Sequence, residues 1–388
     1  MKRILFVVTY FDCGGTCRAL QNILNIINPE EFQIDVFGFV ESGMYEKGLF
    51  KNCHIIPECK ALSYLFQRYS STTGLNRYAA AFSKIVNRLS KNKYNNWLLR
   101  RIANKIVSKG DYDLVVAFSE GIVTTFLSYV EHPNKVAWIH CDYASYHQLA
   151  GCPNEVSIYS SYKSIVCVSE FTKTSFVRIY PTLKDKTYSI YNVLDDNMMK
   201  TQSKMALPND ISFDPEYFNI VSIGRLDPVK RMSIIPTIAN HLVNKGDKIR
   251  WLVIGPKGGT DKEYAELTDG IRKFNLGEHV LYLGMQSNPY PFIKNADLLV
   301  NTSISEACPY VINEAKILGT PIVCTDFGSA KEFIDSGSTG LISPIDDMAE
   351  TIHQYINNAE IRNHIKDNLN GFKYDNESII EQFKLLSK

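Results

Sequence analysis

Short apolar runs, rich in β-branched and aromatic residues, alternate along this chain with segments of helical periodicity, and the alternation runs twice. The first series is Ile4–Thr9, Gln33–Phe39, Cys53–Ile56, Asp113–Phe118, Val136–His140, Ile165–Val168 and Thr187–Tyr191. Most are continuous apolar runs, the pattern of strands buried on both faces of a parallel sheet. Between the first two, Leu20, Ile23, Leu24 and Ile27 have helical spacing. A polar stretch from Asp195 to Glu216, holding Pro208 and Pro215, interrupts the series. It restarts at "YFNIVSIGR" and continues through Arg250–Ile254, Val280–Leu283, Asp297–Asn301, Pro321–Cys324 and Gly340–Ile342. The expected fold class is α/β, with two Rossmann-like doubly wound domains facing a cleft. The boundaries expected are residues 1–195, a linker over 196–216, a second domain over 217–368, and a helix in 369–388 that packs back on the first domain. A chain of 388 residues is too long for one ordinary core, which agrees with two domains. Ligands of such sheets bind beyond the carboxyl ends of the strands, so the loops there are where chemistry is sought.

Composition narrows the class. With 45% hydrophobic and 21% charged residues the chain is of ordinary globular type. No apolar run reaches the roughly 18–20 residues that span a bilayer. The start, "MKRILFVVTYFDCGG", has only a short apolar run and no small-residue cleavage site, so it reads as a buried first strand. Nine dispersed cysteines without a CxxC pair point to reduced thiols and a cytoplasmic location. Net charge is +1, yet Lys60–Gly110 carries eleven Lys or Arg and no Asp or Glu, leaving the remainder at −10.

Four loops could carry chemistry. In "YFDCGGTCRALQNI", Gly14 and Gly15 precede a helix that Thr16 could cap, an arrangement open to anions. The spacing is not GxGxxG, and a plain strand-to-helix turn explains it as well. In "VSIGRLDPVKRM", Arg225 and Lys230 follow the first strand of the second series. A guanidinium fork and a mobile ammonium suit a diphosphate, though single surface cations are commoner. In "SEACPYVINEAKIL", Glu306 lies in a loop and Glu314 eight positions on, inside a helix. Carboxylates there could accept hydrogen bonds from sugar hydroxyls; otherwise Glu314 is an exposed helix position and Glu306 a loop charge or helix cap. In "VAWIHCDYASYH", His140 ends a strand and could exchange a proton near neutrality, although a lone His is more often structural.

Other signatures are weak. "DYD" at 111–113 spells a metal motif but lies at the amino end of its strand. No His/Cys cluster has zinc spacing, and no GxSxG or P-loop occurs. No metal ligands are therefore expected, and no nucleic-acid-binding motif accompanies the basic block.

Together these stretches resemble glycosyltransferase family 4 of the GT-B superfamily. "GRLDPVK" is similar to that family's GRL-x-x-x-K, "EACPYVINEA" to its E-x7-E, and "GTPIVCTDFGSAKEFI" to its helix–strand step. "CVSEFTK" and "IYNVLD" resemble segments late in its amino-terminal domain. The resemblance implies an acceptor-binding first domain and a donor-binding second one. Arg225 and Lys230 would hold the donor diphosphate, Glu314 the ribose, and Glu306 with Ala307, Cys308, Pro309 and Tyr310 the transferred sugar. Gly14, Gly15 and Thr16 would lie near the phosphates, His140 near the reacting centre, and the backbone of Met285 against the base. Many relatives have E-G-F-G where this chain has Glu306-Ala307-Cys308-Pro309, and Pro309 lacks an N–H that could serve the hexose.

The implied reaction is metal-free, retaining transfer of a hexose or N-acetylhexosamine from a nucleotide diphosphate sugar, UDP by the resemblance, to a hydroxyl of a glycan or lipid-linked acceptor. Surface polysaccharide or glycoconjugate synthesis would be its setting. A nucleotide-sugar epimerase and a non-catalytic nucleotide-sugar-binding subunit are the rival readings. The Lys60–Gly110 block holds two apolar stripes, Phe82, Ile85, Val86 and Leu89, then Leu99, Ile102 and Ile106. It reads either as a dock for an anionic membrane or as a solvated basic face over core-facing stripes.

Overall fold

The computed structural model describes residues 1–10, 14–40, 52–66, 74–152, 154–208, 211, 213–259 and 261–388, so part of the basic block, 67–73, lies outside the described residues. Among the described residues the chain forms two compact units, Met1–Leu194 with Asn376–Lys388, and Asp195–Asp375. Each is built on one parallel sheet.

The first unit holds β1 (Lys2–Tyr10), β2 (Phe32–Val40), β3 (His54–Ile56), β4 (Leu114–Ala117), β5 (Lys135–Ile139), β6 (Ser164–Cys167) and β7 (Thr187–Ser189). Their order is β3-β2-β1-β4-β5-β6-β7, all pairs parallel. The order reverses direction between β1 and β4, the switch point of a doubly wound sheet. Leu5 and Val7 point into a core with Phe37, Val115 and Phe126, while Phe6 points to the other face. That second face is closed by the last helix, Asn376–Leu386. Its Phe383 stacks on Phe6 at 6.2 Å and meets Trp138 at 6.1 Å and Phe32 at 6.3 Å. Asn376 fixes the helix start, accepting from the Leu194 N–H at 3.0 Å and donating to the Leu194 carbonyl at 2.7 Å. Without this helix, apolar residues on one face of the sheet would meet water.

The second unit holds β8 (Phe218–Ile223), β9 (Ile249–Ile254), β10 (Val280–Gly284), β11 (Leu298–Asn301), β12 (Ile322–Thr325) and β13 (Leu341–Ser343). The order is β10-β9-β8-β11-β12-β13, again wholly parallel, with its switch point between β8 and β11. The strand runs read from sequence all fall on these elements. The fold class is therefore α/β with two Rossmann-like units.

Two local expectations change. Residues 196–216 do more than connect, because a helix over Asp196–Gln202 starts the second unit and Asn288 donates to the Gln202 carbonyl at 3.0 Å. The Asp195 carboxylate caps that helix by accepting from the Met198 N–H. Of the two apolar stripes in the basic block, Leu98, Leu99 and Ile102 on the helix Lys93–Val107 are buried, but Phe82, Ile85 and Leu89 on the helix Gly74–Leu89 face outward.

Candidate active site at the second sheet's switch point

The loop after β8 is a tight turn set by Asp227. Its carboxylate accepts from the Lys230 N–H through Oδ1 at 3.0 Å and from Arg225 Nε through Oδ2 at 2.7 Å. Arg231 turns the chain with a left-handed φ of +49°. The turn is packed from below by two glycines. A Cβ on Gly255 would lie 1.7 Å from the Gly224 carbonyl oxygen, and one on Gly258 would lie 2.1 Å from that of Leu226. Only glycine lets the loop after β9 run this close beneath the loop after β8.

The loop after β11 interlocks with it. The Ile304 N–H donates to the Val229 carbonyl at 2.7 Å, and Thr302 Oγ1 donates to the Lys230 carbonyl at 2.8 Å. These bonds bring Lys230 and Glu306 together: Nζ lies 2.5 Å from Oε1. The same oxygen accepts from Ser303 Oγ at 2.7 Å and from Asn301 Nδ2 at 3.3 Å. The loop after β12 adds Ser329, whose Oγ donates to the Glu306 carbonyl at 2.8 Å. Three strand ends thus fix Glu306, two through its carboxylate and the third through its carbonyl, with little room to move. The ion pair is mostly shielded from solvent, so its attraction is stronger than that of an exposed pair.

Arg225 is not part of this pair. It is largely exposed and forks onto Asp227. Both cations therefore already hold a carboxylate, and an incoming anion must share or displace those partners. Cys324, on β12 beneath the site, has its thiol pushed up to about 12 by burial, reinforced by Asp326 and Glu306.

Beyond Glu306, Ala307 and Cys308 are partly covered and Pro309 is buried. Pro309 occupies the N-cap of the helix Tyr310–Leu318, with no side-chain cap. The first-turn N–H groups of that helix begin at Tyr310, and Glu306 does not cap them. Glu314 is not an exposed helix position, being 2% accessible within this helix. The helix ends at Gly319, whose φ of +76° is left-handed, before the turn into β12. Met285 follows β10 and is half exposed, just after Gly284 with its φ of +66°.

The remaining expected residues lie in the first unit. Gly14 is the N-cap of the helix Gly15–Ile26, and no side chain caps it. Thr16 is therefore inside the first turn and does not serve as the cap. A Cβ on Gly14 or Gly15 would meet no described atom within 4 Å, so packing does not demand glycine at either position. His140 follows β5, and its backbone N–H donates to the Glu120 carboxylate at 3.1 Å. Its ring packs on Phe118 at 4.6 Å and Trp138 at 6.3 Å, with Nε2 shut away from solvent. This burial pushes its pKa down to about 3, so the expected exchange of a proton near neutrality gives way to a neutral imidazole. "DYD" is structural: the Tyr112 hydroxyl donates to Asp35 at 2.7 Å, and the Asp113 carboxylate accepts from the Arg3 N–H at 2.7 Å.

Sequence reasoning missed Asp227, Asn301, Ser303, Ser329 and Glu120. Asp227 sits inside the quoted "GRLDPVK", where an Asp-Pro turn was the available signal. The other four are polar residues at or shortly after strand ends, a pattern too common to single them out.

The glycosyl transferases group 1 model matches residues 204–370. An uncharacterized glycosyltransferase of Methanocaldococcus jannaschii is 25% identical over 242 residues, 53% of this chain and 59% of that protein. The poly(ribitol-phosphate) alpha-N-acetylglucosaminyltransferase of Staphylococcus aureus is 28% identical over 169 residues, 42% of this chain and 33% of that protein. The chain thus spans less than two thirds of either relative. Among solved structures, Anabaena Alr3699/HepE in complex with UDP and glucose superposes with a TM-score of 0.71 at 18% identity, over 99% of both chains. A single-site mutant of S. aureus TarM, in complex with Fondaparinux, alpha-GlcNAc-glycerol and UDP, gives 0.71 at 16% identity, over all of both chains. The chain shares its fold with these solved structures.

Proposed function

We propose that this chain is a retaining glycosyltransferase that moves a hexose or N-acetylhexosamine from a UDP-sugar to a hydroxyl of a glycan or lipid-linked acceptor. One observation carries the reading: Lys230 and Glu306, held together at the second sheet's switch point, inside the matched segment 204–370. UDP in the related structures supports that nucleotide.

In this reading Lys230 and Arg225 hold the diphosphate and stabilise charge on it as it leaves. Glu306 keeps the ammonium aimed and accepts from a sugar hydroxyl. The N–H groups at the start of the helix Tyr310–Leu318 add a positive pole, and Glu314 binds ribose. The bond from the anomeric carbon to the phosphate oxygen breaks, and a bond to the acceptor oxygen forms on the same face. The acceptor's proton passes to the departing phosphate. Two cations supply the stabilisation, so the reaction proceeds without a metal ion.

The test is a thermal-shift screen of nucleotide sugars, followed by UDP release with and without acceptor glycans in EDTA. A raised melting temperature with a UDP-sugar and acceptor-dependent UDP release are expected. Arg225→Ala and Lys230→Ala variants that bind and release UDP like the parent would overturn the reading.

A further inference from the structure

The helix Gly74–Leu89 is turned the wrong way for a core helix. Ala80 is fully buried and Val86 partly covered, while four of the helix's large apolar side chains stand in solvent. Tyr78 is 75% exposed, Phe82 69%, Ile85 56% and Leu89 79%. Their spacing puts all four on one helical stripe. Trp97, on the neighbouring helix Lys93–Val107, is 53% exposed, stacked beside Tyr94 at 6.2 Å and beneath the Arg101 guanidinium at 5.4 Å. Four large apolar residues exposed along one stripe are unlike the scattered exposure usual on a soluble surface.

The charge around the stripe says what covers it. Arg77, Lys84 and Arg88 lie on the same helix, Lys91 and Lys93 follow at the turn, and Arg100, Arg101 and Lys105 lie on the next helix. No acidic residue occurs anywhere from Lys60 to Gly110, although the rest of the chain is net acidic. A partner must therefore offer an apolar layer and negative charge side by side. A second copy would set two basic faces against each other. Nucleic acid would match the cations but leave Ile85 and Leu89 without an apolar medium. A bilayer with anionic headgroups offers both, at the depth an in-plane amphipathic helix reaches.

We infer that the helix Gly74–Leu89 docks the chain on anionic membranes, with Tyr78, Phe82, Ile85 and Leu89 in the headgroup–acyl boundary and the basic rim on lipid phosphates. The inference does not depend on the transfer reaction, because docking is measured without any donor.

The experiment is co-sedimentation of the full chain with vesicles of phosphatidylcholine alone or with about one third phosphatidylglycerol, at about 0.05 M and about 0.5 M salt. Binding to the anionic vesicles should exceed binding to neutral ones by about tenfold or more and should weaken in high salt. Phe82→Ser/Leu89→Ser should lower the partition coefficient by about tenfold with an unchanged melting temperature, since both side chains are already exposed. Arg88→Glu/Lys91→Glu should abolish the preference for anionic vesicles. Equal recovery with both vesicle types, or parental binding by Phe82→Ser/Leu89→Ser, would overturn the proposal. So would a dimer, or a nucleic-acid complex, that those substitutions disperse in a chain that ignores vesicles.

Discussion

Lys230 Nζ lies 2.5 Å from Glu306 Oε1, and this ion pair ties the loop after β8 to the loop after β11 at the point where the second sheet reverses its order. The two partners have separable roles under the proposed reaction. Lys230→Met removes a phosphate contact and should weaken UDP binding by about 10–100-fold, the worth of a hydrogen bond to a charged group. Glu306→Gln keeps the ammonium and should hold UDP affinity within about threefold while transfer falls by about 100-fold or more. Calorimetric titration with UDP and initial rates separate the two effects. Equal losses of UDP affinity in both variants would contradict this division.

Gly255→Ala should unfold or severely loosen the second unit. The residue has a φ of +147°, and the added Cβ would lie 1.7 Å from the Gly224 carbonyl. Strain and overlap together should cost about 3 kcal/mol or more. Gly277→Ala is the contrast, because its Cβ would meet nothing within 4 Å, and it should stay within about 1 kcal/mol of the parent. Thermal melts of the two variants check this directly.

His140 should make the first unit acid-labile. Its folded pKa, pushed down to about 3 by burial, lies below the value of about 6.5 that it regains on unfolding. The unfolded chain therefore binds the extra proton, and stability present above pH 6.5 is lost as pH falls towards 3. By pH 5 the loss should be about 2 kcal/mol. Melting curves from pH 7 to pH 5 should fall less steeply for His140→Gln than for the parent. Parallel curves would show that the ring titrates normally.

Phe383→Ala should destabilise the first unit by about 3–5 kcal/mol, as for other large buried aromatic truncations. Its ring lies among Phe6, Phe32 and Trp138. Scanning calorimetry should show one transition shifting down while the other stays, since Phe383 belongs to the first unit alone.

Fold class was legible because parallel strands buried on both faces leave a strong mark: "ILFVV" or "DLLVN" can hardly be anything else between helical segments. The loop cations and glutamates were legible as types at strand ends. Their partners were not. Nothing in the spelling of "NTSISE" shows that Ser303 and Asn301 both hand hydrogen bonds to Glu306, or that Ser329 reaches its carbonyl from another strand. Thr16 fits a helix cap by type and neighbourhood, but the cap falls on Gly14, two positions earlier.

The strand–helix rhythm, the two parallel sheets and the loops that could carry charge follow from the order of residues, because each of these is a local pattern of burial and propensity. Tertiary structure alone decided which charges met. It paired Lys230 with Glu306, left Arg225 on Asp227, and enclosed His140 so that its ring stays neutral. It also turned Phe82 and Leu89 outward and Leu99 and Ile102 inward, although both stripes have the same helical period. Periodicity fixes that residues share a face. Which way the face points depends on what the rest of the chain packs against it.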